Sequence, residues 1–219
     1  MTEPAGYLWQ PLGGFLDGLA AGTAAPAGGS AAALAIAIAA GLCAKSARLS
    51  IRQLTADQAE QLTAQAERIR TAAASLIDAD ALAYRDVIEQ TRRAAGAAQA
   101  AGPAQAAGAA QAAGAAQASA DPAESQAGGV AVALSRAADV PLRATELAAQ
   151  TASLAAGLAR GGNPALRGDA VCAALLAQAG GRAAGELVRI NLAAAPGDQR
   201  HDQVARLLAD LMRTVADVT

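Results

Sequence analysis

Fourteen consecutive residues, Ala31 to Ala44, carry no charge and no hydrogen-bonding side chain beyond the thiol of Cys43. A helix built from such a run has no face for water, so the rest of the chain must surround it. The run is mostly alanine and falls short of the ~20 apolar residues needed to cross a bilayer. It therefore predicts the central helix of a soluble, membrane-free protein. Alanine carries the apolar fraction elsewhere too: hydrophobic residues make up 53% of the chain but aromatic ones only 2%. Alanine is the best helix former, and its small side chain lets helix axes approach closely. Runs of β-branched and aromatic residues suited to a sheet are missing. The fold class is all-α, an Ala-rich multihelical bundle.

Helix signals follow in order. Pro11 to Ala20 reads as a short first helix with Leu12, Phe15, Leu16 and Leu19 inward, and Tyr7 and Trp9 before it as packing anchors. Ser30 reads as the N-cap of the central helix, which runs to about Leu49. A long helix spans about Asp57 to Ala95. Another runs from about Val130 to Arg160, with Pro141 as a break or first-turn residue. Arg160-Gly161-Gly162-Asn163-Pro164 combines a terminal cation, a glycine stop and a proline that opens the next helix, which reaches about Leu192. Asp198 caps a last helix with Val204, Leu207, Leu208, Leu211 and Val215 inward.

Residues 97–120 are four hexads with glutamine at 99, 105, 111 and 117. Six residues turn about 600° around a helix, so successive glutamines share no face. Gly102, Gly108, Gly114 and Pro103 each weaken a helix. The chain thus reads as one domain over 1–219, with a low-complexity Ala/Gln/Gly insert at about 97–128 that is flexible or partly helical and tolerated at the surface.

Charge and cysteine usage narrow the function. A net charge of −2 with no basic face argues against nucleic acid. Cys43 and Cys172 lie in Ala-rich patterns and read as small core residues of a protein from a reducing cytoplasm. No metal site is expected, since His201 is the only histidine and reads as a packing or surface residue. No basic segment followed by an apolar run opens the chain as a signal peptide would.

Asp80 is the residue that calls for chemistry. On a 3.6-residue period Leu62, Ile69, Ala73, Leu76, Asp80, Tyr84 and Val87 share one face, while Asp78, Leu82, Arg85 and Glu89 point the other way. A carboxylate on a buried face must be paired, hydrogen-bonded or protonated. It serves either as a bond to a neighbouring helix end or as an acid/base group of shifted pKa. Two further segments carry polar or glycine clusters. Gly28-Gly29-Ser30 opens the central helix with free N–H groups that favour an anion. Gly162-Asn163-Pro164 with Arg167 and Asp169 forms a polar knot at a helix junction, which capping alone also explains.

Taken in order, PAGGSAAA at 26–33, DADALAY at 78–84, VPL at 140–142, GNPALRGD at 162–169 and LVRINL at 187–192 resemble the cyclodeaminase/cyclohydrolase family. The resemblance covers nearly the whole chain outside the hexads. It implies an all-helical, two-fold homodimer that binds folate at the bundle. It also implies closure of 5-formiminotetrahydrofolate to 5,10-methenyltetrahydrofolate with loss of ammonia, or hydrolysis of the methenyl bridge. The tetrahydrofolate derivative is then substrate, with no separate cofactor. The second Asp of the family's Asp-x-Asp is catalytic, which assigns that role to Asp80. Gly28, Gly29, Ser30, Asn163, Asp169 and Arg167 become substrate-binding residues, with Arg48 and Arg52 as further partners for a glutamate tail. Departures from the pattern are Ala27 for a glycine, Leu49-Ser50-Ile51-Arg52 for Thr-x-Gly-Lys/Arg, Gly168 for a serine and Leu187 for an asparagine. They keep a non-catalytic scaffold or folate-binding relative as the alternative.

Overall fold

In the computed structural model, which describes residues 6–108 and 122–219 (backbone alone over 97–108 and 122–127), seven α-helices form the fold. They are α1 (Leu12–Ala20), α2 (Gly28–Arg48), α3 (Ala56–Gly108), α4 (Pro122–Ala137), α5 (Asp139–Gly161), α6 (Arg167–Asn191) and α7 (Arg200–Ala216). A 3-10 turn, Tyr7–Trp9, precedes α1, and a second, Pro164–Leu166, leads into α6. No strand occurs among the described residues.

α2 is the centre, packed against α3, α5 and α6. Ile36, Ala39, Ala40, Cys43 and Ala47 on its inner side are fully buried. Among the described residues it alone is long and apolar enough to cross a membrane, and most of it is buried inside the bundle. Alanine permits this crowding, and glycine extends it. A Cβ on Gly180 would stand 2.8 Å from Ile36 Cγ1 and 2.9 Å from the Ala32 carbonyl oxygen. Burial pushes the Cys43 thiol up to about 12, so it stays protonated and inert.

Several expected boundaries move. Ser30 is not an N-cap: α2 begins at Gly28 with Ala27 as its cap, and the Ser30 hydroxyl lies fully buried in the first turn. α3 does not stop near Ala95 but continues through the first two hexads to Gly108. The helix expected from Val130 to Arg160 is two, parted at Ala138, with Pro141 in the first turn of α5, where no N–H is needed. The remaining hexad residues, 109–120, lie outside the described residues.

Side chains correct other expectations. Tyr7 packs edge-to-face on the buried Phe15 with ring centroids 5.9 Å apart, but Trp9 is 82% exposed and anchors nothing. Cys172 is exposed rather than core. The buried stripe of α3 runs through Ala66, Ile69, Ala73, Ile77 and Ala81. Asp80 thus borders that stripe and is half-buried, and Tyr84 is exposed.

The last helix is tied down by charge. Arg200 donates to the Ser135 carbonyl at 2.8 Å and hydroxyl at 2.7 Å, to Asp139 at 2.7 Å and to both oxygens of Asp198. Asp198 also accepts the Arg200 backbone N–H at 2.9 Å, but it is not the expected cap: Gln199 holds that position and makes no side-chain bond there. The guanidinium holds the Asp198 carboxyl down at about 2. The His201 ring lies 3.4 Å from the Leu192 carbonyl oxygen.

Candidate active site at the N-terminal end of α2

The N–H groups of Gly28, Gly29 and Ser30 belong to the first turn of α2 and have no carbonyl one turn below to bond. Together with the helix dipole they make that end attractive to negative charge. α3 passes beside it and delivers Asp80. The Ser30 hydroxyl lies 3.1 Å from Asp80 Oδ2 and 2.9 Å from the Ile77 carbonyl oxygen. One proton serves the two contacts, so a Ser30 that bonds Ile77 can itself accept a proton from a neutral Asp80. Gly29 is required by this geometry, because a Cβ there would overlap the Asp80 carboxylate.

The Asp80 carboxyl is pushed above the ordinary carboxylate range. Removal from water is the main cause, and hydrogen bonds from Ser30 offset it in part. No cation pairs with it among the described residues. It faces a cavity of about 280 Å³ between α2, α3, α6 and the end of α4 at Ala137. The floor holds Ala27, Gly28 and Gly29; Tyr84 and Ala83 come from α3, and Leu187, Ile190 and Asn191 from α6. A shifted, unpaired carboxyl in an apolar cleft beside a helix N-terminus can take, hold and return one proton, next to donors that would stabilise developing negative charge.

Asp78, two residues earlier, serves a different end. Its Oδ1 accepts the Tyr7 N–H at 2.9 Å and clips the N-terminal arm to α3.

The second polar cluster sits elsewhere. Asn163 donates to the Leu49 carbonyl oxygen at 3.0 Å, accepts the Ala165 N–H at 3.0 Å, and its own N–H bonds Ser50 Oγ at 2.9 Å. Arg167 donates to the Val218 carbonyl oxygen at 3.2 Å, and Asp169 pairs with Lys45 at 2.6 Å. Arg48 is bonded to Glu67 at 2.7 Å. All of these lie at the C-terminal end of α2, a helix of 21 residues, hence about 30 Å from Asp80. Within this chain the structure therefore brings Gly28, Gly29, Ser30 and Asp80 together, and sets Asn163, Arg167 and Asp169 apart from them.

Asn191 and Tyr84 are the cavity residues that sequence reasoning passed over. Both lie inside quoted motifs, LVRINL and DADALAY, and helix direction would have found Asn191. In an up-and-down bundle α6 starts at the Asn163 end and finishes at the Asp80 end.

Comparison with known proteins accords with this architecture. A crystal structure of formiminotetrahydrofolate cyclodeaminase from Thermotoga maritima superposes with a TM-score of 0.72 at 20% identity, over 96% of this chain and 94% of that one. At that identity the likeness speaks for the fold. No curated protein matches the sequence. The family model for formiminotransferase-cyclodeaminase matches residues 11–127 and 107–209, two stretches that overlap over 107–127, the later hexads and the residues just after them. Those matches take in most of the chain, with Asp80 and Ser30 in the first and Asn191 in the second, and the chain accordingly belongs to the formiminotransferase-cyclodeaminase family.

Proposed function

We propose that the protein is a folate one-carbon enzyme in which Asp80 moves a proton at the N5–N10 bridge of a tetrahydrofolate. In cyclising deamination, N10 of 5-formiminotetrahydrofolate attacks the formimino carbon. The proton leaving N10 passes through the carboxyl to the departing nitrogen, and the C–N bond to ammonia breaks. In bridge hydrolysis, Asp80 accepts a proton from the water that adds to the methenyl carbon, and the opening C–N5 bond receives one back. Either path needs one group that can take and return a proton, and a carboxyl whose pKa is raised by desolvation is suited to both. Ser30 aligns it, and the cavity keeps bulk water away.

The observation that carries this reading is the half-buried Asp80 carboxyl, bonded to Ser30 and facing a cavity at a helix N-terminus. Asn191 offers an amide that complements a pterin's donor–acceptor edge. The competing reading, a non-catalytic relative, is favoured by one feature: Leu187 lines the cavity where the family carries asparagine. Incubation with 5,10-methenyltetrahydrofolate, followed by its absorbance, and with 5-formiminotetrahydrofolate, followed by ammonia release, separates the two. Turnover above buffer in either assay supports the enzyme. Decay at the buffer rate in both, with tetrahydrofolate still bound in calorimetry, leaves the binding relative.

A further inference from the structure

The VPL segment at 140–142 parts α4 from α5 at the edge of the Asp80 cavity. Pro141 has no N–H to offer the Ala137 carbonyl one turn before it, so α4 ends at Ala137 and α5 begins at Asp139. Ala137 lines the cavity with Leu187, Ile190 and Asn191 of α6. The helices around the cavity are not equally anchored. α3 and α6 pack extensively on α2, whereas α4 packs chiefly on α3 and barely touches α5 and α6. Gly129 lies against the side-chain amide of Gln90, so in this antiparallel pair Ser135 is level with about Tyr84. The last turn of α4 therefore backs the part of α3, Ala83 and Tyr84, that also lines the cavity.

One side chain from outside holds that turn. The guanidinium of Arg200, in the first turn of α7, has five N–H groups, and each has its own acceptor. Nε donates to Asp198 Oδ1 at 3.0 Å. Nη1 donates to the Ser135 carbonyl at 2.8 Å and to Asp139 Oδ1 at 2.7 Å. Nη2 donates to the Ser135 hydroxyl at 2.7 Å and to Asp198 Oδ2 at 2.7 Å. Ser135 and Asp139 stand on the two sides of the break, and Asp198 fixes the plane of the fork from behind. Among the described residues no other side chain from outside α4 and α5 bonds this junction. Fastening α7 alone needs far less: one turn on, Gln203 ties it to Glu146 of α5 through a single bond of 2.9 Å.

We propose that Arg200 is a positioning residue for the Asp80 site: by holding the last turn of α4 across the break at Ala138, it sets the width of the cavity. A planar fork suits this task, because it fixes direction as well as distance at both helix ends. Ala138 itself is buried with Val188, Leu192 and Val204 in a small cluster apart from the main core. Loss of the fork therefore frees the seating of α4 while that cluster keeps the junction folded. Asp80 and Ser30 stand on α3 and α2, outside the fork's reach, so the proton-transferring pair stays intact. What a substrate ring loses is a wall, and this appears in KM rather than in kcat. The kinetic part rests on the folate reading; the mechanical part does not.

The mechanical part is read by nitroxide labels on Val132→Cys of α4 and Gln150→Cys of α5, both exposed, in a Cys172→Ser background. Cys43 is buried and escapes labelling. The chains are refolded with excess unlabelled protein, so that only labels within one chain pair. The distance distribution should be narrow with Arg200 present and broad in Arg200→Met. An unchanged distribution overturns the proposal. In kinetics, Arg200→Met should raise KM for the tetrahydrofolate that wild type turns over by about tenfold, with kcat within about threefold. Arg200→Lys, a point charge with three donors, should recover part of the loss, and Gln203→Leu should keep the wild-type KM. An equal rise in KM for Gln203→Leu makes Arg200 a mere fastener of α7 and overturns the positioning role. A fall in kcat at unchanged KM overturns it as well. Should Arg200→Met fail to fold, Ser135→Ala carries the same comparison, with a smaller change in the same direction expected and no change overturning the proposal. If wild type neither turns over nor binds a tetrahydrofolate, the kinetic part falls with the functional reading, and the label distances still decide the mechanical part.

Discussion

The two ends of α2 carry the same kinds of residue and use them differently. At the C-terminal end the knot's bonded groups are met by their own chain, Asn163 by Leu49 and Ala165, Ser50 by the Ser46 carbonyl and Asn163, and Lys45 by Asp169, with the buried Ser46 hydroxyl alone left without a partner among the described residues. At the N-terminal end Asp80 has, among the described residues, Ser30 alone and no cation, with a cavity in front of it. Satisfied polar groups stabilise a junction, whereas a desolvated group left short of partners costs stability and keeps capacity for a ligand. The first end is built as structure and the second as a site.

Removing the carboxylate should have the largest effect. Asp80→Asn keeps the size and the bond to Ser30 but cannot carry a proton, so turnover should fall by about 10²–10⁴-fold. The variant should not lose stability at neutral pH. The folded-state pKa of Asp80 is raised by burial, so ionisation weakens the fold as pH climbs through the ordinary carboxylate value to the raised one. Below that window the carboxyl is protonated folded or unfolded, and the penalty vanishes. The melting temperature of Asp80→Asn relative to wild type should therefore rise as pH climbs from the ordinary carboxylate range toward the raised value. A difference that is flat or falls with pH would show that Asp80 is a satisfied structural group like those at the other end.

Closing the approach of α2 to α3 comes next. Gly29→Val puts a branched side chain where the Asp80 carboxylate lies. Displacing that carboxylate should cost roughly 1–3 kcal/mol by overpacking and reduce turnover at least about tenfold. Wild-type kinetics with intact melting would mean that the carboxylate has room to move and is not held in place by the helix end.

The opposite end should answer in stability alone. Asn163→Ala removes the donor to Leu49 and the acceptor for Ala165, a loss of about 1–2 kcal/mol in chemical denaturation. In the folded variant, turnover should stay within about twofold of wild type, since α2 separates the two ends by about 30 Å. A large rise in KM at unchanged stability would give Asn163 a ligand and erase the contrast between the ends.

Much of this contrast was legible in the sequence, though not its geometry. The all-α class and the central place of α2 follow from a run with no polar side chain, which leaves only one physical solution. Asp80 stood out because a carboxylate breaks a helical stripe. The phase was nonetheless off by one position, for Ile77 and Ala81 rather than Leu76 and Tyr84 form the buried line. Alanine suits the buried and the exposed side of a helix alike, so an Ala-rich helix marks its faces weakly. Ser30 looks like a cap by residue type, but its hydroxyl is fixed by Ile77 and Asp80, 47 and 50 residues away. Local pattern does not register such contacts. That one chain sets its motifs at opposite ends of α2 was not legible, for a topological reason: order along the chain says nothing about which end of a bundle each motif reaches. Alternating helix directions supply that information, placing Asn163 with Leu49 and Asn191 with Asp80.

The smallest effect is expected farthest from both ends. α3 and α4 pack against each other, and Gly129 of α4 lies against the side-chain amide of Gln90 of α3. In an antiparallel pair with 90 level with 129, position 96 is level with about 123. Deleting residues 97–120 would join Gly96 to Asp121 near that level, so a short turn can close the hairpin without pulling either helix from the bundle. The hexads place no recurring apolar face on a helix, and a shorter connection lowers the loop-closure cost only by a fraction of a kcal/mol. Melting temperature and turnover of the deletion variant should match wild type within error. A broadened transition or a drop of several degrees would show that the segment packs on the bundle, and a selective loss of turnover would tie it to the Asp80 end rather than to neither.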